Sequence, residues 1–176
     1  MYYYIIFTHI FLYAWKISNL TNHQKSLIHS IFLIMVAQFN LLDPFITSSF
    51  SSAYYIDDIY HMFRYKIKPL FLVHHIFSII ESYIALQEPY SSLNMYYKVL
   101  PTIEASVPFL NIYLITHNYG TLIFYLCTHI YFRNYKLILL YFTLTDSLIL
   151  SQLQHAIVIL FIATNLWWTY EIICKI

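Results

Sequence analysis

Long apolar runs separated by short polar breaks constrain this chain more than any motif does. Seven runs fall at roughly 2–15, 26–42, 45–63, 69–87, 99–117, 120–142 and 149–173. A helical membrane span needs about 20 residues, so the first run is short. A backbone in hydrocarbon must satisfy its own hydrogen bonds, which leaves helices as the simple solution. Charged residues make up 10% of the 176-residue chain, against roughly 25% in soluble domains. The pattern predicts an all-α polytopic membrane bundle of six to seven helices. Residues 1–19 are read as an N-terminal membrane anchor and 20–176 as the transmembrane domain. The first run has no positive n-region and no small-residue cleavage site, which favours an anchor over a cleaved signal.

The breaks have local causes. Asp43-Pro44 opens the third run and Lys68-Pro69 the fourth, because proline is tolerated in a first helical turn. Leu100-Pro101 lies near the start of the fifth. Residues 88–98 form the longest polar loop, and Arg133 and Lys136 interrupt the sixth run. With seven spans, Lys16, Lys25, Arg64, Lys66, Lys68 and Lys175 gather on one side, and Lys98 stands on the other. The positive-inside rule then puts the C-terminus in the cytosol. The sequon Asn19-Leu20-Thr21 would also be cytosolic and unmodified.

Several function classes are excluded. The single glycine, Gly120, cannot supply a phosphate loop or a dinucleotide fingerprint, and it removes GxxxG helix packing. A net charge of +1 gives no reason to expect nucleic acid. Nine histidines include one adjacent pair but neither HxxHH nor HExxH, so no metal and no bound cofactor is expected. Cys127 and Cys174 lack metal spacing. Cys174, near a membrane edge, is a candidate for palmitoylation, with an unmodified thiol the plainer reading.

Ionisable groups inside a span are costly and usually face a bundle interior with a partner. Residues three and four apart share a helix face. In the third run Tyr54, Asp58 and His61 make one stripe, with Asp57 about 100° away. Asp57 alone could simply pair with a basic loop residue. In the fourth run His74, Ser78 and Glu81 make a stripe, and His75, Ser78 and Ser82 an adjacent one. In the fifth, Glu104, Pro108 and Asn111 align, with Ser106 nearby. Three consecutive runs thus point to one shared polar cavity. His9, His29, His129 and His155 stand alone and read as structural. Asp146 and Glu171 lie near run ends and read as solvated.

Five elements in order resemble the TLC-domain family, which includes ceramide synthases and the small TLC-domain-containing proteins. They are SLIHSIF (26–32), AYYIDDI (53–59), FLVHHIFS (71–78), IEASVPFLN (103–111) and ATNLWWTYEII (163–173). The likeness is greatest to the small members. It implies helices around a lipid-accessible cavity, usually in the endoplasmic reticulum membrane, and a role in ceramide or phospholipid biology. It also implies His74 and His75 as a reactive pair with Asp58 and Glu104, while the stripes themselves give Tyr54, His61, Ser78, Glu81 and Asn111 as cavity lining. Ceramide synthases carry H-D-x-x-D, whereas this chain has Glu104 at the first acidic position and Val107 at the second. Ala53 stands where the small members carry glycine.

Three functions are consistent with these residues. The first is lipid handling or membrane lipid homeostasis, with membrane lipids as partners. The second is an N-acyltransferase of ceramide synthase type, with acyl-CoA as co-substrate. The third is a transporter or proton relay.

Overall fold

The computed structural model describes residues 2–39, 43–65, 69–86, 104–146 and 152–174. They form helices, with no strand among the described residues. We number the helices α1 (Tyr2–Ile17), α2 (Asn22–Phe39), α3 (Pro44–Tyr65), α4 (Pro69–Ala85) and α5 (Val107–Thr116). Helix α6 runs continuously through Tyr119–His129, a π-helical stretch Ile130–Lys136 and Leu137–Asp146, and α7 is Gln152–Ile173.

The all-α expectation holds. By length and composition, one helical stretch among the described residues, His155–Ile173 in α7, is long and apolar enough to cross a membrane. The others fall short for individual reasons. Helix α1 has 16 residues and α5 has 10. Helix α4 has 17, and α2 and α3 are too polar on average.

Helix starts follow local chemistry. Helix α2 begins before the apolar run does, because Thr21 and Gln24 form a capping box. The Gln24 N–H donates to Thr21 Oγ1 at 3.3 Å, and the Thr21 N–H donates to Gln24 Oε1 at 2.9 Å. This reciprocal pair satisfies two otherwise orphaned donors. Asp43 caps α3 by accepting the Phe45 N–H at 2.7 Å. Asn118 caps α6 by accepting the Gly120 N–H at 2.7 Å. Helix α5 stops at His117, whose φ of 51° is left-handed. The Arg133–Lys136 interruption does not end the sixth helix. It is absorbed as the π-helical stretch.

Helices α1 to α4 alternate in direction: Lys16 near the end of α1 lies over Tyr60 near the end of α3, Lys25 near the start of α2 meets Asp57, and His75 near the start of α4 meets Asp58. One end of the fold therefore collects the C-termini of α1 and α3 and the N-termini of α2 and α4. Phe71 of α4 meets Trp168 of α7 at a ring distance of 4.7 Å, so α7 finishes at this end too. Asn111 Nδ2 of α5 donates to Ser26 Oγ of α2 at 3.1 Å, which brings the α5–α6 turn there as well. We refer to this as the Lys16 end.

Helix α1 packs along α3 over a seam of small residues. Thr47, Ser48, Ser49, Ser51, Ser52 and Ala53 are all buried. Tyr4 and Ser52 share a hydrogen bond of 2.7 Å across the seam. Small side chains let helix backbones approach closely, and serine fills here the place that GxxxG glycines occupy elsewhere.

Inside and outside are inverted relative to a water-soluble domain. The buried set includes Lys25, Asp57, His74, His75, Glu104, Asn111, Arg133 and Asn165. The exposed set includes Ile5, Ile10, Ile31, Met35, Ile80, Phe124, Leu139, Phe142, Leu160, Leu166 and Trp167. Apolar packing persists in two places. Trp15, Ala53, Tyr54 and Tyr55 cluster where α1 meets α3, and Leu137, Ile157 and Phe161 cluster where α6 meets α7.

Candidate functional site: a buried polar layer

The buried ionisable groups of α2, α3 and α4 lie at one level, about two turns inward from the Lys16 end, with Glu104 and Arg133 reaching them from deeper in the fold. Their sequence positions explain the convergence. Lys25 and His29 lie near the start of α2, Asp57 and Asp58 near the end of α3, and His74 and His75 near the start of α4. Antiparallel order brings these stretches to the same depth.

Each carboxylate has a partner on another element. Asp57 Oδ2 meets Lys25 Nζ at 2.7 Å, with both side chains buried. His61 Nε2 stands 3.9 Å from the same oxygen, and its side chain is 25% exposed. Asp58 Oδ2 meets His75 Nε2 at 2.6 Å. An ionised carboxylate only accepts hydrogen bonds, so Nε2 carries the proton of this contact. In the neutral ring that leaves a lone pair on Nδ1, which is buried and has no hydrogen-bond partner. Glu104 Oε1 accepts from the Tyr55 hydroxyl at 3.5 Å and lies 3.8 Å from Arg133 Nη2. Such pairing is what a charge removed from water requires.

The adjacent histidines part company, as residues about 100° apart on a helix must. His75 turns to α3, where it meets Asp58 and the Tyr55 ring at 5.0 Å. His74 turns to α7, edge-on to Phe161 at 5.2 Å and Trp168 at 5.5 Å. Ser78 and Ser82 are buried on the same helix, each donating to the backbone one turn back. The side chain of Glu81 lies outside the described residues. Tyr54 is buried against Trp15, His29 and His75. Glu104 and Ser106 precede α5, and Asn111 within it reaches α2; all three are buried.

Three participants were not among the residues expected from sequence. Lys25 reads there as a loop-flanking cation, yet it is buried on Asp57. Arg133 reads as an interruption, yet the π-helical stretch turns both Arg133 and Asn134 inward. Arg133 reaches Asn165 Oδ1 at 3.4 Å, and Asn134 donates to Thr169 Oγ1 at 2.7 Å. A π stretch inside an α-helix often marks a functional position. His29 reads as a lone structural histidine, yet it stacks on Tyr54 with ring centroids 4.1 Å apart. Its sequence signal was its place in SLIHSIF.

Among the described residues no group of three or more His, Cys, Asp or Glu side chains has the geometry to hold a metal ion. The chemistry on offer is that of an oriented imidazole, a carboxylate beside a guanidinium, and several hydroxyls. No protein-family model, curated protein or solved structure matches the chain.

Proposed function

We propose that this chain is a polytopic membrane protein of TLC-domain type that handles lipid at its buried polar layer. The observation that carries the reading is the inversion of polarity. Paired charges sit inside, and Ile, Leu, Phe and Tyr side chains face outward. Water does not favour this arrangement, but a bilayer does. The natural ligands are membrane lipids, whose headgroups could enter the polar layer while their chains remain apolar-solvated. The proposed location is the endoplasmic reticulum or a related endomembrane, with the C-terminus cytosolic.

A second reading, acyl transfer, is favoured by the Asp58–His75 contact of 2.6 Å. A carboxylate that orients an imidazole whose other nitrogen is unengaged is the working arrangement of a general base. An amine or hydroxyl of the acceptor lipid would attack the thioester carbon of acyl-CoA. The C–S bond breaks, and the acceptor's proton passes through His75 Nδ1 to the departing thiolate. The products are an acyl lipid and free CoA.

Lipid mass spectrometry on cells expressing the wild type and the His74→Ala/His75→Ala variant, at equal membrane insertion, tests both readings. A new acyl lipid that vanishes in the variant supports acyl transfer. Co-purifying lipid without a new product supports handling alone. Neither result, from an inserted protein, removes the lipid reading.

A further inference from the structure

Buried polar atoms in native proteins are almost always hydrogen-bonded, and the exceptions call for an explanation. Several such atoms lie on His29, His74, His75 and Ser106. His29 is 0% exposed, and neither of its ring nitrogens has a partner among the described residues. His74 Nδ1 and His75 Nδ1 are also buried and unpartnered, as is the hydroxyl of Ser106 at 0% exposure.

Tyr55 ties these groups together. Its ring centroid lies 5.2 Å from that of His29, 5.0 Å from His75 and 6.4 Å from His74. Its hydroxyl donates to Glu104, two residues before Ser106. Three imidazoles from α2 and α4 thus surround one tyrosine, whose hydroxyl reaches the short segment that also carries Ser106. Leaving so many polar atoms unsatisfied would cost about 1–3 kcal/mol for each.

The charges nearby decide what kind of group fits. Asp57, Asp58 and Glu104 each already face a cation or an imidazole, Lys25, His75 and Arg133 respectively. Among the described residues of this layer, no carboxylate is left to attract a cationic headgroup. The free atoms are ring nitrogens, which donate or accept according to tautomer, and a hydroxyl, which does both. Their complement is a neutral group that also does both.

We propose that His29, His74, His75 and Ser106 form a binding site for a neutral hydroxyl group, carried by water or by the alcohol headgroup of a lipid. With a lipid alcohol as the source, the site deepens the lipid-handling reading and names its ligand class. With water as the source, it is an internal hydration site beside His75, and it stands even if lipid handling fails.

The test uses the full chain, labelled with 15N-histidine, in phosphatidylcholine nanodiscs. Solid-state NMR reads magnetisation transfer to the imidazole nitrogens from water, and then from added monooleoylglycerol. The exposed His23 and His117, at helix ends, serve as water-contact controls. The variant His29→Phe keeps the ring stack on Tyr54 and removes both nitrogens, so it should fold. Suppose the source is a lipid alcohol. Monooleoylglycerol then binds about tenfold more tightly than its O-methylated analogue, as expected for one or two hydrogen bonds, and His29→Phe abolishes the difference. Suppose instead that water is the source. The two lipids then bind alike, while water transfer reaches His29 and His74. Should His29 and His74 receive magnetisation from neither source, while His23 and His117 report normally, the proposal is overturned.

Discussion

Asp57 and Lys25 illustrate what a charge needs at this depth. Their 2.7 Å contact joins α2 to α3, and both side chains are buried. Removing one partner strands the other, which typically costs about 3–5 kcal/mol, whereas replacing both with apolar residues is often neutral. Lys25→Met and Asp57→Leu should therefore each lower the melting temperature in detergent sharply, and the double variant should recover most of the loss. A loss in the double variant equal to the sum of the two single losses would show that the pair is not coupled. Asp58 poses a catalytic question instead. In Asp58→Asn the amide can donate to His75 Nε2, which moves the ring proton to Nδ1 and blocks proton acceptance there. If acyl transfer is the reaction, its rate should fall by about 10²–10⁴-fold, the usual share of general base catalysis, with helical circular dichroism unchanged. Asp58 and His75 were legible in sequence because helical spacing alone puts each on an inward stripe. Lys25 and Arg133 were not. Charge counting sends a lysine at a run's edge to the loop, and only the packed fold shows that Asp57 waits beside it.

At the scale of elements, α3 and α6 carry the unusual local choices. The serine seam of α3 lets α1 lie close, and Ser52 also bonds to Tyr4. Ser52→Leu should force the helices apart and cost about 1–3 kcal/mol by overpacking. Ile31→Leu, on an exposed position of α2, should change the unfolding midpoint little, and chemical denaturation of the two variants checks the contrast. Helix α6 depends on its π-helical stretch of 7 residues to turn Arg133 and Asn134 inward together. Deleting the exposed Tyr135 should restore ordinary α-helical winding. The flanking α-helical segments then keep their register, but the wide turn that holds both Arg133 and Asn134 inward is lost, so Arg133 can no longer serve Glu104. If lipid is handled at the polar layer, its association should fall while helix content is retained. The element order was largely readable, since proline breaks and apolar runs mark starts and stops. The capping box that starts α2 at Asn22 is visible in TNHQ only once attention leaves the apolar run. The π winding leaves no such mark, because it reflects what α6 meets in space. The fifth run, read as 99–117, is described as a helix only over Val107–Thr116, and its residues 99–103 lie outside the described part.

For the whole molecule, the depth of the polar layer ties fold to environment. A bilayer core is about 30 Å thick, and the layer lies about 10 Å inside the Lys16 end, by helical rise. A headgroup arriving from that side would reach His75 while its chains stayed beside the exposed Ile and Leu side chains. This geometry makes orientation a functional matter, because a soluble co-substrate such as acyl-CoA would have to approach from the same side. Two glycosylation sites read that orientation directly. Asn19, at the Lys16 end, begins the sequon Asn19-Leu20-Thr21. Tyr96→Thr completes a second sequon beginning at Asn94, in the segment that follows the opposite end of α4. With the Lys16 end cytosolic, Asn94 in the variant should be glycosylated in microsomes and Asn19 should not, and the chain should resist alkaline carbonate extraction. Glycan on Asn19 alone would invert the protein and place the polar layer within reach of the lumen, which would sink a cytosolic acyl-CoA route. Release by carbonate would remove the bilayer from the account altogether, and the outward Ile, Leu and Phe side chains would then need a protein partner to cover them.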